Sequence, residues 1–157
     1  MATAKTRDFE VFETITANNA GNNKSIDLNT FINVADMEAF GLLAIEVGIN
    51  ATETTPETAT FQAQIALQDL ATGFISHADF DSLYLTYKNV LTGFEEESLS
   101  LGDVADVRYI PGGILQLRAD RMSGASDVEL YVRITGKIAK LSAADYMSLA
   151  LTKSLSA

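Results

Sequence analysis

From Leu43 to Ile49 every second residue is apolar: Leu43, Ile45, Val47, Ile49. A half-buried β-strand presents one side chain in two to its core face, whereas an amphipathic helix needs spacings of three and four. The same period recurs along the chain. Phe9, Val11 and Ile15 predict a first strand; Ile26, Leu28 and Ile32 a second. Phe61, Ala63, Ile65 and Leu67 predict another, with Gln62, Gln64 and Gln68 on its opposite face. Leu83, Leu85 and Tyr87 follow, then Val104, Val107 and Tyr109, then Ile114 to Ala119. Val128, Leu130, Val132 and Ile134 form the longest regular run, extending towards Ile138.

The connections carry turn chemistry. Asn18 to Asn23 is polar and tolerant of positive φ, Thr52 to Thr58 contains Pro56, and Ser123 to Ser126 separates the last two strands. Pro111-Gly112-Gly113 predicts a hairpin, because proline sets φ at the second turn position and glycine accepts positive φ at the third. Single helical turns are expected over 34–40 and 76–81. A longer helix is expected at the end, with Ser142 as N-cap and Asp145 three residues on, as in a capping box. Tyr146, Leu149 and Ala150 would share its inner face, covering a sandwich edge or a barrel end.

About eight strands at short spacing specify an all-β fold, as a single domain over residues 1–157. Jelly roll, immunoglobulin-like sandwich and up-and-down barrel all satisfy the pattern. A single antiparallel jelly-roll sandwich or barrel with a short C-terminal helix is the favoured architecture; the strand order is not readable.

The net charge of −10 argues against direct nucleic-acid binding, which needs clustered Lys and Arg. Residues 1–106 hold four basic and seventeen acidic side chains, and residues 107–157 hold seven basic and four acidic. Faces of opposite sign could attract between subunits; faces that simply differ in charge are the plainer reading. Cysteine is absent, which removes thiolate metal sites and cysteine nucleophiles. No stretch approaches the apolar length of a spanning helix, and residues 1–8 do not read as a signal peptide.

Nothing in the chain assembles a catalytic, cofactor or metal site. His77 is the one histidine, and it reads as a solvated loop residue. Glu95-Glu96-Glu97 reads as a solvated edge or loop before a cation site, since three consecutive carboxylates do not converge on one ion unaided. Arg118-Ala119-Asp120-Arg121 reads as a hairpin-end ion pair of small value. Asn23-Lys24-Ser25 and Asn50-Ala51-Thr52 match the N-glycosylation pattern, as short matches do by chance. The eight phenylalanines and five tyrosines read mostly as core.

Ser25 to Asn33 leads through Ala35-Asp36 into the strand Leu42–Asn50; Gly112 to Leu115, the strand Glu129–Arg133 and Lys140-Leu141-Ser142 before a short helix follow. In this order the chain resembles the small single-jelly-roll major capsid proteins of tailless icosahedral viruses with an internal membrane. That resemblance implies an upright barrel without catalytic residues or cofactors, located in the virion. Its partners would be copies of itself, a second related capsid protein and an underlying viral membrane. The termini and the closing helix are the expected subunit contacts. The readings set against it are a decoration or spike protein, and a carbohydrate- or ligand-binding sandwich marked by an exposed aromatic strip.

Overall fold

The computed structural model describes residues 3–49, 59–79, 81–91, 94–101, 108–124 and 127–156, with side chains at 8–49, 60–79, 81–87, 108–124 and 127–151. Its strands are β1 (Thr3–Ala17), β2 (Asn22–Asp27), β3 (Glu38–Ile49), β4 (Ala59–Ala66), β5 (Ser82–Leu91), β6 (Phe94–Leu101), β7 (Arg108–Ile110), β8 (Ile114–Gly124) and β9 (Val128–Lys140). Helix α1 (Ala143–Ser156) closes the described chain.

The strands form two antiparallel sheets, β1-β9-β3-β7 and β2-β8-β4-β5-β6. The pairs β1/β9, β2/β8, β3/β7 and β4/β5 are the rungs of one long hairpin. Rolling that hairpin up brings β9 beside β3 and β8 beside β4. This is a jelly roll, with β6 added beyond the usual eight strands at the β5 edge. The inner faces meet in one core, with Val11, Val47, Leu130, Val132 and Ile134 from one sheet and Phe61, Ile65, Leu115 and Leu117 from the other. Phe9 meets Phe40 edge-on at 5.7 Å and packs against Phe31 at 4.6 Å.

Two bulges break the expected alternation. In β3, Leu42 lies opposite Gly136 and Ala44 opposite Thr135, so Leu43 has no partner of its own. Leu42 is therefore in the core and Leu43 points outward, against expectation, while Val47 keeps the inward phase. In β5, Ile65 pairs with Tyr84 but Ala66 with Ser82, so Leu83 is the extra residue. The bulge lets Leu83 and Tyr84 both reach the core and carries Thr86 inward. Leu85 and Tyr87, expected inside, pair with Gln64 and Gln62 on the outer face. A one-residue insertion reverses every side chain beyond it.

The Pro111–Gly113 turn is not a hairpin. β7 belongs to the first sheet and β8 to the second, so the turn crosses between layers. Gly112 and Gly113 do take positive φ, 119° and 104°. Leu28 N donates to Gly113 O and Asn29 Oδ1 accepts from Gly113 N. β2 also stops earlier than the spacing suggests. Asp27 Oδ1 accepts from Asn29 N and starts a 3-10 turn over Leu28–Thr30, although Leu28 and Ile32 remain buried.

Of the short helices, Val34–Asp36 is a 3-10 turn capped by Asn33, and β3 begins at Glu38. Residues 76–79 form a turn without a helix, because Ser76 Oγ accepts from Ala78 N and Asp79 Oδ1 from Asp81 N. The closing helix starts where the cap residues place it. Ser142 Oγ accepts from Asp145 N and donates to Asp145 Oδ2. Tyr146, Leu149 and Ala150 lie on its half-buried side, and the Tyr146 hydroxyl donates to Pro111 O at 3.0 Å.

Candidate functional site

Three surfaces gather chemistry. The first lies on the outer wall of the second sheet, where Gln64 of β4 faces Arg118 of β8 in register. Gln64 Oε1 accepts from Ile75 N at 2.9 Å, and Gln64 Nε2 donates to Ile75 O at 3.0 Å and to Ser82 Oγ at 2.9 Å. Arg118 donates to Leu70 O and Ala71 O, pairs with both Asp120 oxygens and lies under the Phe74 ring. Together they clamp residues 67–79 over the sheet and bury Leu70 completely, apart from the main core. Arg118 and Asp120 thus sit mid-strand and mostly buried, not at a hairpin end. Neighbouring Arg121 pairs with Asp127 at 3.6 Å.

His77 belongs to this clamp. Its Nδ1 is 3.0 Å from Ser82 Oγ. Ser82 Oγ thus joins the Gln64 amide, which donates to it, to the His77 ring. His77 is therefore half-buried and bonded rather than a solvated loop residue. Ser82 is itself buried, which makes the pair a structural joint and not an exposed nucleophile. Below it, burial lowers the Arg108 pKa from its ordinary value, against the raising effect of the nearby buried Asp81.

The second surface is a shallow concavity of about 230 Å³ between β1 and β2, lined by Thr14, Ile15, Thr16, Asn22, Asn23 and Lys24. Lys24 Nζ donates to Thr14 O and pairs with Glu13 at 2.8 Å, and Asn22 Nδ2 donates to Thr16 O. These side chains of β2 occupy carbonyls on the open edge of β1 and so block further strand pairing there. Asn23 is exposed beside them on β2, while Asn50 lies outside the described residues.

The third surface is the outer wall of the first sheet. Phe12 of β1 is 51% exposed, and its ring lies parallel to that of Tyr131 of β9, centroids 6.1 Å apart and planes within 11°. Tyr131 lies flat over Gly48 of β3, where a Cβ would come within 2.6 Å of its ring. Its hydroxyl donates to Glu46 at 2.7 Å. Arg133 links Glu10 at 3.4 Å and Glu46 at 3.6 Å across the same face. The sequence reading missed this pair, yet both residues are out of phase with the inward apolar positions of their strands.

Four further exposed apolar residues, Val34, Ile114, Met147 and Leu151, belong to elements at one end of the sandwich. The bonds of Tyr146 to Pro111 and of Leu141 N to Met37 O hold those elements together there. Glu95–Glu97 run along β6 opposite Val90 to Lys88, and their side chains lie outside the described residues. Among the described residues, no cluster of three or more His, Asp or Glu is arranged to hold a metal ion. The two halves of unequal charge do not form separate faces. The arginine-bearing strands β8 and β9 are each flanked by strands of the acidic half, and Arg133 is bridged on both sides. Compared with known proteins, the chain matches no protein-family model and no curated protein.

Proposed function

We propose that this chain is a structural virion protein, a capsid subunit that assembles with copies of itself, or with a related subunit, into an icosahedral shell, with an underlying viral membrane as a further partner. The observation that carries the reading is the rolled-hairpin strand order, the jelly roll found in many viral coats, closed by a capped helix. The apolar side chains that stay outside the core support it. Met147 and Leu151 stand one turn apart on α1, 58% and 59% exposed, and Val34 and Ile114 add to the same end. A tiling subunit needs such surfaces for its neighbours, in contacts of roughly 800 Å² per partner. The polar joint at Gln64, Ser82 and His77 is closed by its own hydrogen bonds, so it serves rigidity rather than turnover.

The test is the native mass of the purified chain, by light scattering and electron microscopy over a concentration series. Rings or shells are the expected result. A chain that stays monomeric at every concentration, alone and with membrane vesicles, overturns the proposal.

A further inference from the structure

The outer edge of β1 is closed at one end and open at the other. Lys24 Nζ donates to Thr14 O and Asn22 Nδ2 to Thr16 O. Both carbonyls point away from β9, so the even-numbered residues form the non-bonded pairs of the β1/β9 ladder. That register runs without a shift from Arg7 to Ala17. Asp8, Glu10 and Phe12 share the phase of Thr14, and their N–H and C=O groups face outward as well. Among the described residues, nothing bonds to the main chain of these three on that side. All three are exposed, and neither a proline nor a bulge interrupts them. Such a row of donors and acceptors is a template for one more strand.

The charges decide which strand fits. A second copy of β1 laid antiparallel over the open stretch, centred on Asp8, Phe9 or Glu10, sets Asp8 against Asp8, Asp8 against Glu10, or Glu10 against Glu10. Like charges directly opposite destabilise a strand pair, so a copy is disfavoured. The same carboxylates favour a cationic strand. Glu10 meets Arg133 at 3.4 Å, yet its side chain stays 57% exposed. We infer that the open stretch of β1 takes an extended segment of another protein with Lys or Arg at alternate positions, added beyond β1 to the sheet β1-β9-β3-β7. In such an addition the main chain supplies the bonds and alternate side chains supply the choice. Antiparallel pairing is the more stable orientation. It sets a basic residue opposite Asp8, another opposite Glu10 and an apolar one opposite Phe12, which is 51% exposed. The recognised pattern is apolar-x-basic-x-basic. This inference does not rest on the capsid proposal, and either can fail alone.

The probe is the peptide acetyl-Thr-Phe-Thr-Lys-Thr-Lys-Thr-amide, titrated into the full chain at low salt and followed by calorimetry and amide NMR shifts. Expected is a dissociation constant of roughly 0.1–1 mM, with the Asp8, Glu10 and Phe12 amides moving most. Added salt should weaken it. The analogue with Glu in place of Lys should bind about tenfold more weakly or worse. N-methylation of the two lysines removes the N–H groups that meet β1 and should abolish binding. N-methylation of the threonines between them, whose N–H groups point away, should change it by less than about threefold. In the protein, Glu10→Pro removes an outward N–H without touching the β9 ladder and should cost about five- to tenfold. Asp8→Lys with Glu10→Lys should turn the preference towards the Glu peptide; the fold of each variant is checked by its melt. The inference is overturned if the folded parent binds neither peptide, binds both alike, or is indifferent to which residues are methylated. Self-association that moves the same amides in place of peptide binding overturns it too.

Discussion

Gln64 carries more of this structure than its surface-like residue type suggests. Its amide pairs with Ile75 as a neighbouring strand would, through one donor and one acceptor, and spends its second N–H on Ser82. Because Ile75 N–H must find an oxygen, the amide orientation is fixed by the backbone. Replacing Gln64 by the similarly shaped Leu strands Ile75 N–H and Ile75 O together and leaves Ser82 Oγ with His77 alone. Gln64→Leu should lower the unfolding free energy by about 1–3 kcal/mol, read from the urea midpoint, and should speed proteolytic nicking within residues 67–79. At this scale the sequence was only partly legible. Phe61, Ala63 and Ile65 were readable as core from their phase, and Ser142 from its place before an acid. The roles of His77 and Gln64, and the hold of Arg118 on Leu70 and Ala71, were not, because those partners lie between 5 and 48 residues away and depend on a loop folding back over the sheet.

Among elements, α1 is held against the sandwich by a polar contact from Tyr146. The Tyr146 hydroxyl donates to Pro111 O, in the turn that Asn29 also holds. That joins α1, the layer crossing and the Leu28–Thr30 turn into one cap. Tyr146→Phe keeps the ring and removes the bond, so it should cost about 0.5–1.5 kcal/mol in a denaturation series and raise amide exchange in α1 before the sheets. Strand existence was legible for every described strand but β6, since alternation is a property of the strand alone and Phe94 to Leu101 carries three successive glutamates instead. Phase was misread where a strand carries a bulge. Leu43 and Leu83 each shift the pattern by one, and neither carries the glycine signal that marks many bulges. The Pro111–Gly113 turn shows a second limit: its glycines fixed the backbone conformation correctly but not the sheet to which the next strand goes.

On the scale of the whole molecule, β1 is an edge strand whose opening residues add pairs at Thr3, Arg7 and Asp8 to a ladder that continues to Ala17. Removing residues 1–8 leaves the ladder from Phe9 onward. The truncated chain should melt only a few degrees lower, while any assembled species seen for the parent should be lost or displaced to higher concentration. Loss of the fold, or undiminished assembly, would show that this segment is not an intersubunit contact. The jelly roll itself was the favoured architecture among three, and the spacing of strands did not select it. Order becomes visible only when β1 is seen paired with β9, across more than a hundred residues.

That pairing also sets a timetable for synthesis. Each sheet holds a late strand between two early ones: β9 between β1 and β3, β8 between β2 and β4. A growing chain on the ribosome lacks the strand that joins β2 to β4 until Gly124 has emerged and the one that joins β1 to β3 until Lys140 has, so its early segments wait with open edges. Closure over such separations is slow. On the capsid proposal, a subunit made this way stays incompetent to meet its neighbours until β9 has been made, which couples the onset of association to the synthesis of that strand.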